Sequence, residues 1–279
     1  MADPAAPELA ATLAGSPDAV TGVAFSPDGG RLATSSADGV ARLWNVSDAA
    51  RLAPRARLAR HTDEVNAVAI SKGGTTLATA SDDETVMLWD VSDPAAVTPQ
   101  STLSGHTEPV LTAAFSPDDS RLVTASRDGT ARLWDVSSPA TPELLGAITG
   151  GIRSAAYGAD ERTVLTIATD GRAALWNVAA PAAPVRLAYL GPADARLRAA
   201  AFRPDGKLVA TGSGTSSVRL WDVSKPARPK AAATFTAHAG QVLGVRFSHD
   251  GETLATASSD GTARLWDVSD PASPAAWRS

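Results

Sequence analysis

The stretch that decides the fold runs from His106 to Val136 and reads HTEPVLTAAFSPDDSRLVTASRDGTARLWDV. Its local signals all favour β-structure. The apolar run 110–115 suits a short buried strand, and Pro117 in the following turn fixes φ. A second strand follows, and Asp128-Gly129 then predicts a hairpin, because glycine accepts a positive φ. Residues after this hairpin alternate polar and apolar side chains with a period of two, which indicates a third strand.

This unit recurs six times along the 279 residues. Each copy ends in Leu-Trp, followed by Asp or Asn and then Val, with spacings of 45, 45, 42, 45 and 45 residues between tryptophans. The tryptophans are Trp44, Trp89, Trp134, Trp176, Trp221 and Trp266. An apolar landmark precedes each tryptophan by 19 residues: Phe25, Ile70, Phe115, Tyr157, Phe202 and Phe247. Four short strands in a unit of this length predict the blade of a β-propeller, and no helical period appears.

The unit resembles the WD40 repeat, and the resemblance covers nearly the whole chain. It is carried by Gly105-His106 near the start of the unit and by Trp134-Asp135 at its end. The histidine recurs at His61 and His238, and three further units keep the Trp-Asp dipeptide. The resemblance implies an all-β WD40 β-propeller of six four-stranded blades. A seven-bladed ring or a longer array is the alternative if the chain is a fragment.

We expect one propeller domain over residues 1–279, with a tail at 271–279. The six repeats are placed at approximately 5–48, 49–93, 94–138, 139–180, 181–225 and 226–270. The resemblance implies that the outer strand of the last blade comes from the start of the chain. Residues near 8–14 would then pair with the strands ending at Trp266 and close the ring. The tail beginning at Trp277 would compete for the same edge.

The resemblance also implies a buried hydrogen-bond chain of Trp, Ser or Thr, His and Asp in each complete blade. A buried indole N–H needs an acceptor, and a hydroxyl can accept that bond and pass another on. The three predicted tetrads are His61, Ser81, Asp83 and Trp89; His106, Ser126, Asp128 and Trp134; and His238, Ser258, Asp260 and Trp266.

The other three repeats lack members of this tetrad. The first has Ser16 in the histidine position, and the fourth has Ala168 in the serine position. The fifth has Ala193 in place of the histidine and Thr215 in place of the aspartate. We therefore predict that blades 2, 3 and 6 are stiffest and that blades 4 and 5 are softest.

A serine, a histidine and an aspartate close in space could instead form a nucleophilic triad. The set recurs once per blade and is tied to a tryptophan, which favours the structural interpretation. His249 lies in a turn without a partner for metal binding. No phosphate-binding loop or set of kinase motifs is present. The sequence therefore predicts a protein that is not an enzyme, with no catalytic residue, no cofactor and no metal site.

Three positions per blade should point to one end of the propeller, the usual binding face of the family. They lie six and four residues before the apolar landmark and one residue before the turn aspartate. The candidate partner-binding residues are Glu64, Asn66, Asp82, Leu111, Arg127, Arg153, Arg196, Arg198, Gln241 and Leu243. The four arginines, on three consecutive blades, suit an acidic or phosphorylated peptide. The alternative is that they are solvated rim arginines.

The net charge of −5 argues against nucleic acid as the main partner. No apolar run is long enough for a membrane span, and the first residues do not resemble a signal peptide. We therefore expect a cytoplasmic monomer that binds protein or peptide partners, with no nucleic acid and no membrane involved. The leading function is a protein-interaction scaffold. The alternative is a sensor or regulatory module of a larger bacterial signalling protein of the kinase or NTPase type.

Overall fold

The computed structural model describes residues 9, 11–48, 52–192 and 196–277. Over these residues the chain is all-β and contains no helix. The strands form six four-stranded antiparallel sheets, one for each sequence repeat. The predicted fold class, six four-stranded blades of the β-propeller type, is confirmed.

The first three blades follow the chain order strictly. Blade 1 contains β1 (Val20–Phe25), β2 (Arg31–Ser36), β3 (Ala41–Asn45) and β4 (Ala53–Leu58). Blade 2 contains β5 (Val65–Ile70), β6 (Thr76–Ser81), β7 (Val86–Asp90) and β8 (Thr98–Leu103). Blade 3 contains β9 (Val110–Phe115), β10 (Arg121–Ser126), β11 (Thr130–Asp135) and β12 (Glu143–Thr149).

The last three blades repeat the same order. Blade 4 contains β13 (Ile152–Tyr157), β14 (Thr163–Ala168), β15 (Ala173–Asn177) and β16 (Val185–Leu190). Blade 5 contains β17 (Leu197–Phe202), β18 (Leu208–Ser213), β19 (Ser217–Asp222) and β20 (Lys230–Thr236). Blade 6 contains β21 (Val242–Phe247), β22 (Thr253–Ser258), β23 (Ala263–Asp267) and β24 (Ala275–Ala276).

The outer strand of blade 6 differs from the expectation. It is formed by Ala275–Ala276, and Trp266 pairs with Ala276. The described residues of the segment predicted to fill this place, 9 and 11–14, are not in a strand, and residues 8 and 10 lie outside the described residues. For the described residues 9 and 11–14, the assignment to this edge is therefore wrong. The tail follows β23 after one short turn, so its pairing closes a far shorter loop than pairing with the start of the chain.

The register within a blade explains the fixed spacing of the two landmarks. In blade 3, Leu122 of β10 pairs with Phe115 on one side and with Trp134 on the other. All three side chains therefore share one face of the sheet, because directly paired residues point the same way. The constant distance of 19 residues is consistent with this cross-strand triplet, and a one-residue insertion within a strand would shift its register.

The described chain divides into two compact units. The N unit comprises residues 9–155 with 181–183, and the C unit comprises 156–180 with 184–277. In the N unit β1 packs on β5 and β5 packs on β9; in the C unit β14 packs on β17 and β17 packs on β21. The single domain over 1–279 stays a prediction.

Within each unit the core is built from the same repeated positions. The leucine that precedes the tryptophan is fully buried in five blades: Leu43, Leu88, Leu133, Leu175 and Leu220. Core clusters join the strands of neighbouring blades, as where Leu88 and Val110 share one cluster with Trp134. One repeated apolar pattern thus supplies both the inside of each blade and its contact with the next.

The inner strand of blade 1 is an exception to this burial. Val23 is 63% exposed, whereas Val68 at the equivalent position of blade 2 is 8% exposed. Phe25, the apolar landmark of blade 1, is 65% exposed. Less apolar surface is therefore removed from water at β1 than at β5, which lowers the hydrophobic stabilisation of this strand.

Candidate functional site

The polar network of blade 3 runs from the tryptophan to the turn aspartate. Trp134 Nε1 donates to Thr124 Oγ1 at 3.0 Å, and Thr124 Oγ1 lies 2.8 Å from His106 Nε2. On the other side of the ring, His106 Nδ1 lies 2.7 Å from the Asp128 carboxylate. With a neutral imidazole, the threonine hydroxyl donates to Nε2 and the Nδ1 proton goes to the carboxylate. Every polar side-chain group of this four-residue network then has a hydrogen-bond partner.

Blades 2 and 6 repeat this geometry. In blade 2, Trp89 donates to Thr79 at 3.0 Å, and His61 lies 2.7 Å from both the Thr79 hydroxyl and the Asp83 carboxylate. The corresponding set in blade 6 is Trp266, Thr256, His238 and Asp260, with distances of 3.0, 2.7 and 3.1 Å. All three histidine side chains are buried. Their positions make them part of the framework of their blades.

The hydroxyl between tryptophan and histidine is a threonine, and the serine assigned from the sequence has another partner. Ser126 donates to the Glu108 carbonyl at 2.7 Å and accepts from the Asp128 N–H at 3.1 Å. Ser81 and Ser258 accept in the same way from the N–H of the aspartate two residues later. The serines therefore fix the hairpin turn, and their assignment to the tetrads is wrong in this respect.

A sequence signal for the threonine exists. A threonine lies ten residues before the tryptophan in all six repeats, and each one accepts the indole N–H: Thr34, Thr79, Thr124, Thr166, Thr211 and Thr256. The serine is replaced by Ala168 in blade 4, yet Trp176 still donates to Thr166 at 2.9 Å. Since the two hydroxyls are two residues apart, they share one face of the strand, and period alone does not distinguish them.

The blades without the histidine differ in what replaces it. In blade 1, Arg42 donates to both carboxylate oxygens of Asp38, and its side chain is 3% exposed. In blade 4, Arg172 pairs with Asp170 at 2.7 Å, but both side chains are largely exposed. In blade 5 the aspartate itself is replaced by Thr215, whose hydroxyl lies 2.9 Å from that of Ser213. In each of the three blades without the histidine, a different interaction therefore holds the residue at the turn position.

The electrostatics of blade 3 follow from this network. Burial alone would raise the pKa of Asp128, but hydrogen bonds from His106 and Thr130 outweigh it and lower the pKa from 3.8 to about 2. Burial lowers the pKa of His106 from 6.5, although Asp128 opposes this change. The aspartate is therefore ionised near neutral pH, and the histidine is neutral.

The geometry does not form the nucleophilic triad considered from the sequence. Both ring nitrogens of His106 are occupied, one by Thr124 and the other by Asp128. Thr124 is fully buried, so it is closed to a substrate. Among the described residues no group of three or more His, Asp or Glu side chains is placed to hold a metal ion. No helix able to span a membrane occurs in the same part of the chain.

At the end of the blades where a partner was expected, backbone hydrogen bonds join the predicted positions. The residue before the turn aspartate donates to the carbonyl six residues before the landmark, at 2.9–3.0 Å. These pairs are Ala37 with Ala19, Asp82 with Glu64, Arg127 with Pro109, Gly214 with Arg196 and Ser259 with Gln241. Within each of these five blades the first and third predicted positions therefore lie side by side, and a backbone hydrogen bond holds them there. The end of a blade that carries these positions is called its rim below.

The acidic part of this rim is tied to the framework. In blade 2, Asn66 donates to the Asp82 carboxylate at 2.6 Å and to the Val110 carbonyl at 2.9 Å. Glu64 and Asp82 are both partly buried. Asn66 thereby links blade 2 to blade 3, which gives it a structural task that its position in the sequence did not reveal.

The basic and apolar candidates lie on both units. In the N unit Arg127 is exposed, whereas Arg153 and Leu111 are partly buried. In the C unit Arg196, Arg198, Gln241 and Leu243 are all exposed, and Leu243 is 54% exposed. The four arginines predicted as one sector thus divide into one pair on each unit.

Six repeated four-stranded blades, each with a tryptophan bonded to a buried threonine, define the chain as a propeller-class repeat protein. Five segments match the family model of the WD domain, G-beta repeat: residues 7–45, 53–90, 97–135, 187–222 and 229–267. These segments cover more than half of the sequence, and the chain belongs to the WD40 family. Most of blade 4, which lacks the histidine and the serine, lies outside the matched segments. No curated protein sequence matches the chain.

Proposed function

We propose that this protein is a non-catalytic interaction platform that binds protein or peptide partners on the rim formed by the hairpin turns between the second and third strands. Propellers of the WD40 family commonly mediate protein–protein interaction. The observation that carries the proposal is the contrast between framework and rim. The tryptophan and threonine recur in every blade, whereas the side chains on the hydrogen-bonded rim differ from blade to blade. A fixed backbone with variable side chains is suited to selective recognition.

The C unit carries the most suitable patch of this rim, formed by Arg196, Arg198, Gln241 and Leu243 and called the C-unit patch below. Arg198 and Leu243 occupy equivalent positions on β17 and β21, and these two strands pack on each other. An exposed leucine beside guanidinium groups fits an acidic or phosphorylated peptide that also carries an apolar side chain. The arginines would supply charge-assisted hydrogen bonds, and the leucine would supply apolar contact.

Charge supports a protein partner over nucleic acid. The chain has a net charge of −5, so the two exposed arginines of the C-unit patch form a local positive region on a protein with a negative net charge. Association with an acidic peptide at this patch would be attractive locally and weak elsewhere on the surface. Its rate should fall with increasing ionic strength, because long-range steering is screened by salt.

The test uses a displayed library of random peptides selected on the whole protein. We expect the enriched peptides to contain Asp or Glu beside an apolar residue, and we expect R196E/R198E to reduce their affinity at least about tenfold. R228E is the matched control, because Arg228 is exposed and lies in the loop between β19 and β20, at the opposite end of blade 5. Peptides that bind the wild type, R196E/R198E and R228E equally well would contradict the proposal.

A further inference from the structure

Blade 5 contains a cavity of about 130 Å³ beside its tryptophan. Its walls include Leu190, Thr211, Ser213, Thr215, Arg219 and Trp221. Leu190, Thr211 and Trp221 are buried, whereas Pro192, another wall residue, is exposed. An engineered cavity of roughly 150 Å³ is large enough to hold benzene. The cavity of blade 5 is therefore of a size to hold a single small ring.

In the blades with a complete tetrad, a histidine side chain occupies the position that corresponds to this cavity. In blade 3 the imidazole of His106 lies between the threonine that accepts the indole N–H and the turn aspartate. The position equivalent to His106, nine residues before the apolar landmark, is Ala193 in blade 5. Ala193 lies outside the described residues, but an alanine carries no ring. Two wall residues of the cavity, Thr211 and Thr215, thus occupy the positions of the threonine and the aspartate that contact the imidazole in blades 2, 3 and 6.

The hydroxyl groups of the cavity are arranged to receive a ring nitrogen. Thr211 accepts the Trp221 indole N–H at 2.9 Å, and its own proton is directed to the Arg219 carbonyl at 3.3 Å. This second contact is long for an O–H donor, whose usual distance is about 2.7–2.8 Å. In blades 2, 3 and 6 the equivalent hydroxyl lies 2.7–2.8 Å from a histidine nitrogen. A ligand nitrogen at the same place would give Thr211 a shorter bond.

The opposite side of the cavity is polar and uncharged. Ser213 Oγ lies 2.9 Å from Thr215 Oγ1 and 3.0 Å from Ser217 Oγ. In blade 3 the residue equivalent to Thr215 is Asp128, whose carboxylate accepts from the imidazole. A hydroxyl accepts from a neutral N–H but does not compensate a buried positive charge. Arg219, the one charged side chain among the described wall residues, also disfavours a cation.

We propose that the blade 5 cavity is a binding site for a neutral imidazole-type ring, which takes the place of the absent histidine. One ring nitrogen accepts from Thr211, the other donates to Thr215, and Trp221 and Leu190 form the apolar walls. The ring is carried either by a small heterocyclic molecule or by a histidine side chain of a bound peptide. The site is independent of the C-unit patch.

The test uses imidazole as the probe at about pH 8, above the pKa of about 6.5 of a histidine ring in model peptides. The indole N–H signals of the wild-type protein are followed by nuclear magnetic resonance and assigned with single Trp→Phe variants. We expect the Trp221 signal to shift and saturate at millimolar imidazole. The Trp89, Trp134 and Trp266 signals are internal controls, because a histidine already fills the place next to each of them.

Two variants complete the experiment. A193H/T215D restores the residues of a complete blade, so the Trp221 signal should no longer respond and the melting temperature should rise by about 2–4 °C. H106A opens the equivalent place in blade 3, and the Trp134 signal should then respond to imidazole. A Trp221 signal that does not move in the wild type, or that still moves in A193H/T215D, would overturn the proposal.

A second titration distinguishes the two sources of the ring. It compares the peptide Gly-His-Gly with Gly-Ala-Gly under the same conditions. A Trp221 shift with imidazole and with Gly-His-Gly, but not with Gly-Ala-Gly, assigns the site to a histidine side chain of a partner. A shift with free imidazole and with neither peptide assigns it to a small molecule.

Discussion

Arg42 donates to both carboxylate oxygens of Asp38, within the blade whose histidine position is occupied by Ser16. The guanidinium lowers the pKa of the Asp38 carboxyl below its usual value. In blades 2, 3 and 6 a histidine from outside the hairpin holds the equivalent aspartate. In blade 1 an arginine from within the hairpin does so. The turn aspartate is therefore stabilised by an arginine in blade 1 and by a histidine in blades 2, 3 and 6.

The first prediction concerns this ion pair. R42M should lower the free energy of unfolding by about 2 kcal/mol, because it leaves a partly buried carboxylate without its cation. Met87 occupies the equivalent position in blade 2, so the side chain itself should fit. Urea unfolding measures the change, and R57M, at the exposed register partner of Arg42, is the control. Adding S16H to R42M should restore part of the loss, and equal stability of R42M and R57M would contradict the assignment.

The second prediction separates the two hydroxyls of a blade network. T124V should cost about 2 kcal/mol, since it leaves both the Trp134 indole N–H and the Nε2 atom of His106 without a partner. T166V in blade 4 should cost about half as much, because Thr166 accepts the indole and blade 4 has no such histidine. Chemical unfolding of the two variants provides the comparison. Equal losses would show that the histidine bond contributes nothing to blade 3.

The third prediction concerns acid. Asp128 has a pKa of about 2 in the folded protein and 3.8 as a free side chain, so its contribution is present above pH 3.8 and disappears as the pH falls towards 2. The pKa of His106 is lowered by folding, so its protonation below pH 6.5 also favours unfolding. D128N should therefore lose less stability than the wild type between about pH 4 and 2. Unfolding curves across this range measure the slope, and E143Q, at an exposed position, should follow the wild type.

The fourth prediction concerns a close approach of backbone. A Cβ atom at Gly146 would clash with the Pro181 carbonyl oxygen, within the N unit. G146A should destabilise the protein by about 1–3 kcal/mol, because the backbone of the 181–183 segment must move. G30A is the matched control, since the nearest atom to its new methyl group lies at 3.6 Å. Equal melting temperatures of the two variants would rule out the close contact.

The fifth prediction concerns uneven stability among blades. Amide exchange in β10 of blade 3 should be slower than in β18 of blade 5, because the blade 5 network lacks the histidine and the aspartate. Blade 6 should exchange faster than its complete tetrad alone predicts, since Ala263 and Arg264 of β23 are exposed. Hydrogen exchange followed by mass spectrometry tests both points. Faster exchange in β10 than in β18 would contradict the link between network and stiffness.

The sequence predicted the blades because their signal is local and repeated six times. The 19-residue spacing between landmarks requires two hairpins of constant length, and the register of Phe115, Leu122 and Trp134 shows why. The sequence predicted less well which residues complete the hydrogen-bond network. Thr124 and Ser126 share one strand face, so only the positions of Trp134 and His106 across the sheet decide which hydroxyl they use.

By itself, the sequence determined the fold class and the number of blades, because both depend on short-range spacing repeated six times. The pairing of histidine with aspartate was implied by the resemblance to the WD40 repeat. Tertiary structure decided which strand completes blade 6, since two segments with suitable sequences compete for one edge. It also decided that Arg42 turns to Asp38 and that blade 5 keeps an empty place beside Trp221. These outcomes depend on the space that a missing side chain leaves and on which neighbouring side chain reaches that space. A local sequence pattern predicts neither of them.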